Sequence, residues 1–154
     1  MKKNRKATPE IIDNFRRVIQ AITEYSKTTE QSTGLTGPQL WVVKILDNSA
    51  PMRVPELAQL MYLSPATVVG ILDRLERKGL IIRTRSTADR RVVDLHLSDA
   101  GKLLAAKSPE VAQFMLVKGL DELTDEQFST VELGMKHLVR MLGAEHITPQ
   151  PLHG

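Results

Sequence analysis

The chain has 154 residues, of which 42% are hydrophobic and 25% charged, and its formal net charge is +3. This length and composition are typical of one globular domain and exclude a disordered or collagen-like chain. The absence of cysteine excludes disulfides, thiolate metal sites and a cysteine nucleophile. No secretory leader follows the basic start, and no window approaches a membrane span, so we expect a cytoplasmic protein.

The charge is distributed unevenly along the chain. Residues 1–52 carry a net charge of +3, residues 53–91 of +4 and residues 92–154 of −4. Within the middle block, residues 74–91 hold seven basic side chains against two acidic ones. A solvated face is the plain interpretation of such a patch, and a nucleic-acid contact is the alternative. The element that carries the patch must decide between them.

The first predicted element is an amphipathic helix. Apolar residues recur at helical spacing from Ile11 to Ile22, and Thr8-Pro9 is a typical helix start. The polar stretch 31–34 predicts that this helix ends near Thr29. A second, strongly apolar helix is predicted after residues 36–38 and is ended by the polar stretch 47–51.

Two short helices joined by a tight turn are predicted next. Residues 55–61 form about two helical turns, and Ser64 followed by Pro65 is a capped start for the second helix, which closes at Gly79. Its inward residues at helical spacing are Val68, Leu72 and Leu75. This arrangement has the shape of a helix-turn-helix.

The apolar period then changes from 3.6 to 2. Residues 80–85 and 92–97 alternate like strands, and the polar residues 86–91 connect them. We therefore predict a β-hairpin with a basic tip. A helix-turn-helix followed by such a hairpin is a winged helix.

The last third of the chain is predicted to be helical. One long helix begins at Ser98 and continues to Leu116 with a kink at Pro109, and Thr124 to Gln127 is a capping-box start for the final helix. The final helix repeats apolar residues at alternating spacings of three and four: Phe128, Val131, Met135, Leu138 and Leu142. We call these five residues the apolar seam. A narrow seam of this kind needs a helical partner.

In a winged helix, the second helix of the helix-turn-helix enters the major groove of DNA, which is about 12 Å wide. Its first residues here are small, so they can lie deep in the groove and touch thymine methyl groups: Pro65, Ala66, Thr67, Val69 and Gly70. None of them can read a base through two hydrogen bonds, as Arg, Asn or Gln can. We expect modest direct readout, with Arg74 and Arg77 on phosphates.

The hairpin tip offers a second mode of contact. A guanidinium from Arg90 or Arg91 can enter the minor groove, where A·T-rich DNA concentrates negative potential. Asp89 can hold Arg91 through a carboxylate–guanidinium pair. An exposed polar turn is the plain alternative, but the preceding helix-turn-helix favours the groove contact.

Taken together, these blocks resemble the MarR family of bacterial transcriptional regulators. The blocks that carry the resemblance are residues 35–41 (LTGPQLW), 56–58 (ELA), 64–80, 89–91 (DRR) and 95–101 (LHLSDAG). The resemblance covers about residues 10–143. Gly70 stands where the family often carries arginine, and the lack of cysteine does not support its peroxide-sensing branch.

The resemblance implies a two-fold dimer held by the first and last helices, with recognition by the helix at 65–78. It also implies that Arg91, oriented by Asp89, enters the minor groove. DNA would be released when a small, often aromatic, anion binds between the dimer helices and the winged helix. We therefore divide the single domain into an N-terminal dimerisation helix (1–33), a winged helix-turn-helix (34–97) and C-terminal dimerisation helices (98–154).

The predicted function is a sequence-specific DNA-binding transcriptional regulator, a dimeric repressor of a pseudo-palindromic operator in duplex DNA. The alternative is a winged-helix protein-interaction module that does not bind DNA. The predicted DNA-contacting residues are Ser64, Pro65, Ala66, Thr67, Val69, Gly70, Arg74, Arg77, Arg85, Asp89, Arg90 and Arg91. The basic block at residues 74–91 favours the DNA-binding function.

An effector pocket needs an apolar slot and, for an aromatic acid, one cation. The candidate side chains are Tyr25, Trp41, Lys44, Met52 and Met61, for each of which plain core packing is the alternative. We expect no enzyme, cofactor or metal site, because no catalytic motif occurs and the histidines lack ligand spacing: His96, His137, His146 and His153.

Overall fold

The computed structural model describes residues 5–152, so most of the basic start and His153 lie outside the described residues. Seven helices and two strands follow in chain order over this range: α1 (Thr8–Thr33), α2 (Gly37–Ser49), α3 (Val54–Met61), α4 (Pro65–Arg77), β1 (Ile81–Arg85), β2 (Val93–Leu97), α5 (Asp99–Lys107), α6 (Ala112–Asp121) and α7 (Asp125–Met141). The predicted fold class, mainly helical with a small β-wing, is confirmed.

Side-chain caps begin several of these helices where the sequence predicted them. Thr36 and Thr124 each form a capping box with a glutamine three residues later. Ser64 accepts a hydrogen bond from the backbone N–H of Thr67, and Pro65 fills the first helical position of α4. These local contacts fix where α2, α4 and α7 start.

Helix α1 is longer than predicted. It continues to Thr33 rather than ending near Thr29, because serine and threonine can remain helical when their hydroxyls bond within the helix: those of Ser32 and Thr33 donate to carbonyls four residues earlier. The helix stops at Gly34, whose φ of 68° lies in the left-handed region that favours glycine.

The predicted long helix after Ser98 is wrong, because Pro109 breaks it rather than kinking it. Helix α5 ends at Lys107, and α6 begins at Ala112. Proline offers no N–H and disfavours helical geometry in the residue before it, and Ser108 is extended with ψ of 150°. The break redirects the chain, so α6 runs separately from α5.

The two strands pair antiparallel in a register that places Ile81 opposite Leu97 and Arg85 opposite Val93. One face of this hairpin closes the core with Ile81, Leu95 and Leu97. The core is otherwise built from α2, α3 and α4, including the predicted inward residues of α4, which are fully buried: Val68, Leu72 and Leu75. Among the described residues, every buried apolar side chain lies between Leu35 and Ala112.

Helices α1, α6 and α7 present their apolar residues to solvent. No residue of α7 is buried, and four residues of its apolar seam are exposed, with Leu138 intermediate. On α1 the exposed apolar residues include Ile11, Ile12, Val18 and Ile19. Within the described residues, no helix combines the length and apolarity that crossing a membrane requires.

Candidate nucleic-acid interface

Helix α4 has one buried face and one exposed face. The cap residue Ser64, a predicted DNA contact, is exposed together with four of the predicted major-groove residues on the first turns: Pro65, Ala66, Val69 and Gly70. Thr67 is half-buried, and its hydroxyl lies 2.8 Å from the Ser64 hydroxyl. A Cβ on Gly70 would meet open space, so the helix presents a shallow, small-residue surface at its centre.

The basic end of α4 lies beside the wing. Arg74 and Arg77 are exposed, and Arg77 donates from Nε to the backbone carbonyl of Asp73 on its own helix. Both arginines are in the last turn of α4, the helix whose first turns carry the small residues. The structure therefore places these two predicted phosphate contacts at the C-terminal end of the α4 surface.

Arg83 connects the wing to α4, a role that sequence reasoning missed. Its guanidinium lies 2.6 Å from Asp73 Oδ1 and 3.4 Å from Glu76 Oε2, and the side chain is 28% exposed. Asp73 and Glu76 are three residues apart, hence on one helical face, which is the signal that could have indicated a cation opposite. One of the seven basic groups of residues 74–91 is thus paired with α4.

The wing tip is organised around Asp89. Its Oδ1 accepts from the backbone N–H of Arg91 at 3.0 Å and lies 3.4 Å from Arg91 Nε, as the sequence predicted for this pair. The backbone closes the tip through Val92 N–H to the Asp89 carbonyl. The Arg91 side chain is nevertheless 92% exposed, so its guanidinium is oriented and remains accessible. Arg85 and Arg90 are also exposed on the wing.

The base of the wing is joined closely to the helices on either side. The Ser98 hydroxyl donates to the Gly79 carbonyl, and the Ser98 N–H donates to the Leu80 carbonyl. A Cβ on Gly101 would overlap the same Leu80 carbonyl oxygen, so only glycine permits this approach of α5. These contacts hold the wing in a defined position relative to α4.

Tyr62, in the turn between α3 and α4, is a second residue that sequence reasoning passed over. Its φ of 55° is the left-handed conformation, which is unusual for a bulky residue, and its side chain is 72% exposed. Only its position two residues before the Ser64 cap, in a turn, could have drawn attention to it.

The predicted effector residues are not all brought together. Trp41 and Lys44 line a cleft of about 480 Å³, which we call the α2–α6 cleft. Its lining residues are Trp41, Lys44, Ile45, Asp47, Asn48, Ser49, Leu60, Ala105, Glu110, Phe114 and Val117. Met52 and Met61 lie in the core, and Tyr25 is half-buried on α1 away from this lining. Met61 is on the buried face of α3, and Met52 lies between α2 and α3 where it pairs with Leu95, a long-range contact that the sequence could not indicate.

A family model described as the MarR family matches residues 35–93. The chain is 32% identical to the HTH-type transcriptional repressor MdtR of Bacillus subtilis strain 168, over 88% of this chain and 79% of that protein. This chain belongs to the MarR family. The crystal structure of the YusO protein from Bacillus subtilis is similar with a TM-score of 0.53 and 30% identity, covering 94% of this chain and 99% of that one. The crystal structure of a MepR-like protein complexed with pseudoligands is similar with a TM-score of 0.58 and 26% identity. The match covers 90% of this chain and 99% of that protein's chain.

Membership in the MarR family confirms the predicted function class. The protein is a DNA-binding transcriptional regulator, and a protein-interaction module that does not bind DNA is not favoured. Its relatives are regulators rather than enzymes. The matched residues 35–93 contain α2, α3, α4 and most of the wing, which are the elements that carry the exposed α4 surface and Arg91.

Proposed function

We propose that this MarR-family protein is a dimeric repressor that binds a pseudo-palindromic operator with α4 in the major groove and Arg91 in the adjacent minor groove. The observation that carries the proposal is the arrangement at the wing. Arg83 is paired with α4, whereas Arg91 is oriented by Asp89 and 92% exposed. Two cationic groups on one hairpin thus have different roles, one positioning the wing and one left accessible for DNA.

We propose that α4 recognises DNA bases through its small residues. Val69 and Ala66 offer apolar contacts to thymine methyl groups, and Thr67 keeps a hydroxyl near the helix start. Arg74 and Arg77 would contact phosphates, which contribute affinity without reading sequence. Specificity would then depend strongly on the minor groove, which is narrow and most negative in A·T-rich DNA.

A dimer is proposed because helices α1, α6 and α7, which we call the arms, carry apolar faces that the rest of residues 5–152 leaves exposed. Val18 on α1, Leu116 on α6 and Val131 on α7 are each at least 42% exposed. Burying such faces against a second copy is the usual reason for their occurrence in a soluble chain. The two copies of α4 would then reach major grooves one helical turn apart, about 10 base pairs.

Regulation by a small ligand is proposed at the α2–α6 cleft. The cleft lies between α2 of the winged helix and α6, one of the helices we assign to the dimer. A ligand filling it would change how α6 sits against α2 and therefore the spacing of the two α4 helices. Occupancy would thereby lower affinity for the operator.

The test is a gel-shift titration of operator DNA at several salt concentrations. We expect a log–log salt slope equivalent to about 6–10 phosphates per dimer. Arg91→Ala should weaken binding to sites with A·T-rich flanks by about 1–3 kcal/mol and affect G·C-rich flanks less. The matched control is Arg16→Ala on α1, an exposed arginine that pairs with Asp13 at 3.1 Å as Arg91 pairs with Asp89.

The control should bind both kinds of flank like the unmodified protein. Equal loss on all flanks in Arg91→Ala would leave Arg91 as a phosphate contact only and reject minor-groove reading. Binding that does not change with salt would reject the proposed DNA interface as a whole.

A further inference from the structure

The α2–α6 cleft has an aromatic and apolar floor built by helical spacing. Trp41, Lys44, Ile45 and Asn48 are separated by three, one and three residues, so they share one face of α2. Phe114 on α6 lies on the opposite wall. This wall exists because Pro109 ends α5 and lets α6 take its own direction.

The charges that line the cleft do not suit an anion. Lys44 is the one cationic side chain in the lining, and its Nζ lies 3.7 Å from Glu110 Oε1. Asp47 adds a second carboxylate, so the lining has a net charge of −1. An anionic ligand would have to displace Glu110 from Lys44 and would still face Asp47, whereas a cation would meet two carboxylates and the exposed ring of Phe114.

We infer that the α2–α6 cleft binds aromatic organic cations in preference to aromatic acids. This inference rests on the proposed ligand response and deepens it by naming the charge of the ligand. The ring of the ligand would lie against Phe114, with only the small accessible part of Trp41 beneath it, and its cationic group would face Glu110 and Asp47. The anionic ligand that the family resemblance implied is therefore replaced by one of opposite charge.

The experiment uses three probes of nearly equal shape: naphthalene-2-carboxamidinium as the cation, 2-naphthoate as the anion and 2-naphthamide as the neutral compound. Each is titrated into the full-length chain by isothermal calorimetry. We expect the amidinium to bind at least about tenfold more tightly than the naphthoate, with the amide between them. One probe should bind per chain.

Two substitutions change the charge of the cleft in opposite directions. Glu110→Gln should weaken binding of the amidinium about 5- to 10-fold, and Lys44→Met should strengthen it about 3- to 10-fold. Glu110 is 54% exposed, so its replacement should not impair folding. The matched control is Glu132→Gln on α7, which removes the same charge from an exposed pair with Lys136 and should leave the affinity unchanged.

Tighter binding of the naphthoate, or equal binding of all three probes, would overturn the inference. Weaker binding of the amidinium by Lys44→Met would also overturn it, because Lys44 would then favour the bound ligand. Binding of none of the probes would overturn it as well, while a normal gel shift with operator DNA would leave the DNA-binding function intact. If the amidinium binds and the operator stays bound, the charge preference holds and the proposed release of DNA fails.

Discussion

The body of this protein, which comprises the winged helix and α5 (residues 35–112), buries its apolar residues, whereas the arms leave theirs exposed. In the body, residues 35–112 enclose every buried apolar side chain among residues 5–152. In the arms, the apolar faces of α1, α6 and most of α7 stay exposed in the single chain. The body is therefore stabilised by its own core, whereas the arms carry apolar faces that the proposed dimer would bury.

The largest effect is expected from a cavity in the body. Leu72 on α4 has no exposed surface, so Leu72→Ala should lower the free energy of unfolding by about 2–5 kcal/mol. Guanidinium denaturation followed by circular dichroism measures this. In the arms, Met141→Ala at a side chain that is 76% exposed should change stability by no more than about 0.5 kcal/mol. Similar losses in both variants would remove the contrast between body and arms.

A charge in the apolar seam should separate the two copies without unfolding the body. Met135 is 54% exposed in the single chain, and Met135→Lys would place an unpaired charge in the proposed interface. We expect the dimer dissociation constant, measured by sedimentation velocity, to rise about 100-fold or more. Lys136→Ala, one residue along α7, should leave it within about threefold. A dimer that survives Met135→Lys would show that α7 does not form the interface.

A smaller loss of unfolding free energy is expected where α5 packs against the base of the wing. Gly101→Ala would drive a Cβ into the Leu80 carbonyl oxygen, which also accepts from the Ser98 N–H. We expect unfolding free energy to fall by about 1–3 kcal/mol in thermal or chemical denaturation. An unchanged midpoint would mean that α5 can move away from β1 without cost.

The smallest effect has the opposite sign. Gly70 lies inside α4 with open space around it, so Gly70→Ala should raise the free energy of unfolding by about 0.5–1 kcal/mol. The measurement is the same denaturation experiment without DNA. Destabilisation instead would indicate that a backbone contact, rather than DNA recognition, requires glycine at this position.

The local parts of the fold were predictable from sequence because they depend on residues close in the chain. Ser64-Pro65 and the Thr124 capping box identified two helix starts, and the change of apolar period identified the wing. Asp89 and Arg91 were predicted to pair because they are only two positions apart in the chain. The errors were also local: Pro109 broke a helix that periodicity continued, and α1 ended at Gly34 and not at the polar residues that follow Thr29.

Sequence alone specified the order of helices and strands as far as Ser98, the amphipathic face of α4 and the spacing of the apolar seam, since caps and apolar spacing act over a few residues. The packing of the folded chain was needed to show that Arg83 pairs with α4 while Arg91 does not, and that Lys44 faces Glu110 in the α2–α6 cleft. Each of these ion pairs joins two different elements: a strand and a helix for Arg83, and α2 and the segment before α6 for Lys44. Which side chains meet depends on how α4, the wing and α6 pack, and caps and apolar spacing do not specify that packing.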